Sequence, residues 1–347
     1  MMKISTFMTC VHRDTLSCEP IVRRVSDGRL LLVVQCGDTY EPAPLNRVYF
    51  LHSADNGRSW SAPQLIRPDD GQAVYCTEVT VIGEEITAYL TLHEGRFLNW
   101  RSMRMVSRDC GQSWTEAGPE PNLPTFTFHR ALLPLRDGTL LMPYQHYPID
   151  EAENARLFAA NAFRHGKGSW IGALGARIDH VENGVLRSED GGKTFARCPA
   201  PPLPVGGDTG ITWAWTEPTL AELSDGRIVM LIRIKADVLW RSESADGGRT
   251  WSPFAPTDIP NPSCKPRLVP LDHGRIALLH DPCKTRRNPF ALWVTEDDMR
   301  TWQHKAVISD FPLNFDYPDA IWEDGHLYTV IELQRRDVLF MDIALQF

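Results

Sequence analysis

The sequence predicts an all-β fold, a six-bladed β-propeller of four-stranded antiparallel blades whose ring is closed by the N-terminal strand joining the last blade. Three observations carry that expectation: a turn phrase that recurs five times, a hairpin phrase that recurs six times, and a chain that ends one strand short of a complete last unit.

The turn phrase follows the template S/T-x-D-x-G-x-S/T-W. It appears as "SADNGRSW" from Ser53, "SRDCGQSW" from Ser107, "SEDGGKTF" from Ser188, "SADGGRTW" from Ser244 and "TEDDMRTW" from Thr295. The Asp can accept hydrogen bonds from N–H groups just after it, Gly supplies a positive φ, and the aromatic ring packs inward. Neighbouring copies lie about 50 to 80 residues apart, the period of an array rather than a chance match. The third copy ends in Phe195 and the fifth has Met299 in place of glycine, so these two turns are expected to be looser.

Interleaved with the turns are apolar runs broken by Asp-Gly or a similar turn. They read "EPIVRRVSDGRLLLVV" from Glu19, "TEVTVIGEEITAYLTL" from Thr77, "HRALLPLRDGTLLMPY" from His129, "EPTLAELSDGRIVMLI" from Glu217, "KPRLVPLDHGRIALLH" from Lys265 and "YPDAIWEDGHLYTVIE" from Tyr317. Asp-Gly between β-rich runs marks a hairpin. Each hairpin but the last is followed by a third strand, a template turn and a fourth strand. The last has only "DVLFMDIALQF" after it, so the missing outer strand is expected from "KISTFMTCV" near the N-terminus, which also removes exposed sheet edges. The whole chain, 1–347, thus reads as one domain. It is interrupted by an insertion at about 147–187 in the third blade, read either as a flap over the pocket, beginning with a short helix, or as a surface excursion.

Composition narrows the function. The 36 basic and 44 acidic residues are interspersed, leaving no basic footprint for nucleic acid and no polybasic membrane patch. The start "MMKISTFMTCVHRD" lacks an apolar leader core, and no apolar run reaches membrane length, so a cytoplasmic location is expected, with secretion left open. Eight dispersed cysteines without a C-x-x-C pair argue against a zinc knot or disulfide scaffold and are expected to be mostly buried free thiols.

In a propeller the first strand of each blade lines the axis, so the residues heading those strands converge on one mouth of the tunnel. The heads are Glu19, Glu78, His129, Glu217, Lys265 and Tyr317, and polar heads on apolar strands imply a polar pocket there. Glu19, Glu78 and Glu217 could together hold calcium, but the spaced oxygen ligands of a calcium loop are absent, so neither metal nor other cofactor is expected.

These repeats resemble the Asp-box (BNR) repeats of the sialidase superfamily along essentially the whole chain. "TEPTLAELSDGRIVMLIR" is similar to the segment holding the glutamate partner of the nucleophile, here Glu217, and a substrate-carboxylate clamp arginine, here Arg233. "RRNPFALWVTEDDMRTW" resembles the segment of another clamp arginine, Arg287 or Arg286, and "FDYPDAIWEDGHLYTVIE" that of the nucleophilic tyrosine, Tyr317. The resemblance implies a carbohydrate substrate and a glycoside hydrolase in which a carboxylate takes the phenol proton and a neutral nucleophile avoids repelling an anionic sugar.

The first blade departs from this pattern. Where the family opens with an arginine, the chain places Glu19, and Arg23 and Arg24 point to opposite faces of one strand, so at most one faces the axis. Glu19 is expected to oppose a substrate carboxylate, which favours a differently placed acidic sugar, a neutral sugar or an amino sugar. The general acid matches Asp38 loosely, with Glu41 and Asp14 as competitors. His129 is a second acid–base candidate, with His146 and Tyr144 near it at the end of the same hairpin. Glu78 either holds a sugar hydroxyl or pairs with Lys265 or Arg130. Two rival functions stand beside the exo-glycosidase: a lyase on uronic acids using His129, Tyr317 and Arg233, and a non-catalytic lectin-like cup.

Overall fold

Each apolar run beside an Asp-Gly turn forms one rung of an antiparallel ladder, and the rungs assemble into six sheets. The structure is a computed structural model and describes residues 2–95, 99–123, 126–147, 152, 181–204 and 216–347.

Blade 1 comprises β2 (Ser17–Arg24), β3 (Leu30–Cys36), β4 (Arg47–Ser53) and β5 (Gln64–Leu65). Blade 2 comprises β6 (Ala73–Ile82), β7 (Glu85–His93), β8 (Arg101–Ser107) and β9 (Thr115–Ala117). Blade 3 orders β10 (Thr127–His129), β12 (Leu140–His146), β13 (Glu182–Ser188) and β14 (Ala196–Pro199), with the short β11 (Leu133–Pro134) also on β12. Blade 4 is β15 (Pro218–Glu222), β16 (Ile228–Ile232), β17 (Val238–Ser244) and β18 (Ala255–Pro260). Blade 5 is β19 (Arg267–Pro270), β20 (Ile276–His280), β21 (Phe290–Thr295) and β22 (His304–Ser309).

Blade 6 is built from both ends of the chain: β23 (Phe315–Glu323), β24 (His326–Leu333), β25 (Asp337–Gln346) and the N-terminal β1 (Lys3–Arg13). β1 runs antiparallel to β25 from Lys3↔Gln346 to Arg13↔Asp337, which closes the ring and pairs both edges. The expected insertion falls mostly outside the described residues. Its last part is not loop, since Glu182–Ser188 is the third strand of its blade.

Apolar side chains fill the gaps between blades rather than one central core. Leu31 and Val33 of blade 1 pack with Val79, Leu90 and Met105 of blade 2, and Leu32 and Leu51 pack with Val330 and Phe340 of blade 6. A strand flanked by two such gaps must be apolar on both faces, and β3 is buried at every position. The axis is left for polar groups.

The template turns hold neighbouring blades together. In the first, Asp55 Oδ1 accepts from Ser53 Oγ at 2.9 Å and from Ser59 N–H at 2.8 Å, and Gly57 N–H donates to Ser53 Oγ at 2.7 Å. Gly57 has φ 85, and a Cβ there would fall 2.0 Å from the ring of Phe340 in blade 6. The two turns expected to be looser are not. Around Asp190 the corresponding bonds are 2.8, 3.0 and 2.9 Å, and around Asp297 they are 2.8, 2.9 and 3.1 Å. Met299 adopts φ 59 in the glycine position and is buried among Trp302 and the apolar residues of blades 4 and 5, so packing compensates the strain.

All eight cysteines are free, as expected, but only Cys18, Cys36, Cys76 and Cys264 are buried; Cys10 is exposed and the others are half-buried. No helix among the described residues is long and apolar enough to cross a membrane.

Candidate functional site

Four of the six heads precede proline: Glu19-Pro20, Glu217-Pro218, Lys265-Pro266 and Tyr317-Pro318. Proline donates no ladder hydrogen bond, so the strand can bulge there. The β2–β3 register shifts between Cys18 and Ile21, and the β23–β24 register between Asp316 and Asp319. Glu19 and Tyr317 sit in the bulges with φ 48 and φ 54, conformations costly for side chains of their size.

These heads meet in one charged cluster. The Arg130 guanidinium lies between two carboxylates, with Nη1 2.9 Å from Glu19 Oε2 and Nη2 3.3 Å from Glu217 Oε1. Glu217 also pairs through Oε2 with Arg233 Nε at 2.7 Å. Arg233 Nη2 donates to the Tyr317 hydroxyl at 3.2 Å, and its Nη1 donates to the Ser263 carbonyl. Arg287 donates to Asp316 Oδ1 at 2.5 Å and to the Ser263 carbonyl at 3.1 Å. The Lys265 ammonium stands 5.6 Å from the centre of the Tyr317 ring and has no carboxylate partner among the described residues. Glu217 and Tyr317 therefore share Arg233 instead of bonding to each other.

Burial sets the electrostatics. It pushes the Tyr317 phenol well above its ordinary value; Arg233 opposes this and the Glu217 and Glu19 charges add to it. For Glu19, burial alone would raise the carboxyl. The Arg130 and Lys265 charges, with hydrogen bonds from Tyr75 and Arg130, outweigh burial and hold it below the usual range. Glu19 is thus spent inside the protein.

The two remaining heads turn elsewhere. Glu78 pairs with Arg23, not with Lys265 or Arg130. Arg23 also binds Asp319, and Arg267 Nε reaches Asp319 Oδ1 at 3.0 Å, so two arginines and two carboxylates form a second cluster on the inner strands. Arg24 faces away and pairs with Glu323 at 2.6 Å. His129 lies between Tyr89, with ring centres 4.2 Å apart, and Thr77, and burial beside Arg130 and Arg104 lowers it to about 3. His146 bonds Thr127 Oγ1 at 3.0 Å, and the Tyr144 hydroxyl donates to Glu182 at 2.6 Å, both within blade 3.

The acid candidates separate too. Asp38 accepts from its neighbour Thr39 N–H at 2.7 Å, and Asp14 from Thr15 N–H at 2.6 Å, so both cap their own loops. Glu41 instead accepts from Cys18 Sγ at 2.7 Å and pairs with Arg335 at 2.5 Å, and its charge helps raise the Tyr75 phenol after burial and Glu19. Arg286 is exposed, which leaves Arg287 at the mouth.

Sequence reasoning missed Arg130 as the central cation, along with Tyr75, Asp316 and Glu332, whose Oε2 accepts the Glu19 N–H at 3.0 Å. In blades 2 and 3 the mouth residue lies a few positions from the expected head, Tyr75 for Glu78 and Arg130 for His129. A one-residue change of register carries a different side chain to the axis. The signal available was the proline, present after the four heads that converge and absent after the two that do not.

A propeller with a polar, charge-lined mouth at its axis is a frame for binding or cleaving a polar ligand. The description of the BNR repeat-like domain matches residues 76–329, and the chain belongs to that family. Among solved structures, the Hadza microbial sialidase Hz136 is similar with TM-score 0.73 and 15% identity over 97% of this chain and 68% of that one. A protein of unknown function from Dyadobacter fermentans is similar with TM-score 0.70 and 15% identity over 99% of both chains. The Trypanosoma rangeli sialidase gives 0.67 and 15%, and this chain, 97% covered, spans 59% of that enzyme. No curated protein matches the chain. At this identity the likeness is one of fold.

Proposed function

We propose that this protein is an exo-acting glycosidase that releases a terminal acidic sugar at the propeller mouth, with Tyr317 as nucleophile. One observation carries the reading. The Tyr317 phenol sits in a strained bulge at the axis, hydrogen-bonded to Arg233, beneath the ammonium of Lys265, and joined through Arg233 to Glu217.

In this reading Arg233, Arg287 and Lys265 surround the phenol, so a phenolate formed there is stabilised by three cations. Glu217 receives the proton once substrate draws Arg233 away from the shared position. Lys265, the cation without a carboxylate partner among the described residues, meets the sugar's anionic group, with Arg287 beside it. The expected repulsion from Glu19 is relieved because Arg130 and Tyr75 already bind its carboxylate. Asp38, whose carboxylate caps its own loop, and Glu41, held by Cys18 and Arg335, are both engaged within the protein, so neither is assigned as the leaving-group acid.

The test is a panel of aryl glycosides of acidic, neutral and amino sugars, with products followed by chromatography and ultraviolet absorbance. Hydrolysis of the acidic members with retained anomeric configuration, abolished in Tyr317→Phe, is expected. An unsaturated, ultraviolet-absorbing product would assign a lyase instead. Binding without turnover would assign the non-catalytic cup.

A further inference from the structure

Where the ring closes, three side chains distant in sequence come together: His12 near the end of β1, Asp14 in the link to β2, and Cys36 at the end of β3. One potential donor atom from each lies within 4.8 Å of the others. We propose that His12, Asp14 and Cys36 bind a borderline-soft divalent cation of the zinc class, which ties the N-terminal strand to the first blade.

The donor set fits that class. Imidazole, thiolate and carboxylate together favour zinc over calcium or magnesium, which take oxygen ligands. Bonds of about 2.0–2.3 Å place tetrahedral donors roughly 3.3–3.8 Å apart, so the cluster contracts by at most about 1.5 Å. The donors are also underused by the protein. His12 Nε2 is buried without a hydrogen-bond partner, and the Cys36 thiol has only Ser17 Oγ at 3.9 Å. Around them stand orienting groups of the kind that accompany metal ligands. Thr15 N–H binds Asp14 Oδ1 at 2.6 Å, leaving the other oxygen open, and Tyr49 stacks on the His12 ring with centres 6.5 Å apart. Water completes the fourth position.

The consequence is mechanical. β1 and β2 belong to blades 6 and 1, so a cation held by His12, Asp14 and Cys36 bridges the seam at which the two chain ends meet. It also sits at the start of the loop 37–46, which carries Glu41. Metal binding to the folded form alone raises its stability by mass action.

The experiment uses the full chain stripped with a chelator and titrated with cobalt(II) and zinc(II). One equivalent of cobalt(II) is expected to produce a thiolate-to-metal charge-transfer band that zinc(II) bleaches, and zinc(II) is expected to raise Tm by several degrees. Cys36→Ser should lose the band and the Tm gain, whereas Cys10→Ser, altering the exposed thiol of β1 two residues before His12, should keep both. His12→Asn, at a half-buried position, should weaken binding at least tenfold even if Cys36→Ser folds poorly. No band in the unaltered protein, a band that survives Cys36→Ser, or unchanged affinity in His12→Asn would overturn the proposal. None of these readouts depends on glycosidase activity.

Discussion

The propeller axis carries two charged clusters, and they differ in one respect. On the inner strands, Arg23 and Arg267 face Glu78 and Asp319, charge for charge. At the mouth, Arg130, Arg233, Arg287 and Lys265 face Glu19, Glu217 and Asp316, which leaves one cation over. The first arrangement is balanced within itself. In the proposed reading the second is completed by an anionic substrate, and it is the one built around a strained tyrosine. Buried ion pairs alone are therefore weak evidence for a site; an unbalanced set beside a strained, hydrogen-bonding side chain is stronger.

Four changes bear on that contrast, the largest first. In the mouth, Tyr317→Phe removes only a hydroxyl, so the fold should persist while kcat on an acidic glycoside falls roughly 10³-fold or more. Measurable turnover near the original rate would make the mouth as structural as the inner cluster. In the inner cluster, Asp319→Asn leaves Arg23 and Arg267 short of a counter-charge. It should cost about 3–5 kcal/mol in urea unfolding, with kcat of the surviving folded protein little changed. A loss of kcat with no loss of stability would reverse the assignment of the two clusters.

Lys265→Met tests the surplus cation. KM for an acidic substrate should rise about 10–100-fold as the contact to the sugar's anion disappears, and kcat should fall as well, because one of the three cations around the Tyr317 phenolate is gone. KM for a neutral analogue should not move. The smallest expected effect concerns Glu332, which burial and the charges of Asp316 and Glu41 push well above the usual carboxyl range against the opposing Arg335. A buried acid with a raised folded value favours the fold while protonated in both states. That contribution is lost as pH rises from the unfolded value through the folded one. Glu332→Gln should therefore flatten the rise in instability between acid and neutral pH, read as Tm against pH; an unchanged slope would place the proton elsewhere.

How legible was the site? Glu19, Glu217, Lys265 and Tyr317 could be named as heads of repeated hairpins, and Arg233 and Arg287 from the family resemblance, and the structure brings these six together. Glu78, His129 and Asp38 could also be named, but their side chains point into other surroundings. The blade count, the closing strand and the five turns were readable because repetition averages out local ambiguity: one hairpin turn is a weak sign, and six in phase, four of them Asp-Gly, are not. Arg130 was not readable as the centre of the cluster, since nothing in "FHRALL" says whether histidine or arginine faces the axis.

The sequence by itself determined the repeat, and through it the six blades, because hairpin and turn chemistry act over a few residues and recur with the period of the chain. Only the tertiary structure decided which charge neutralises which. Bulges at Glu19, Thr77 and Tyr317 shift the register by a residue, and the ring then brings Glu19 to an arginine 111 positions away and Tyr317 to one 84 positions away. The same closure gathers His12, Asp14 and Cys36. Ion pairing and ligation depend on distances of a few ångströms between separate blades, and no local pattern in the chain encodes those distances.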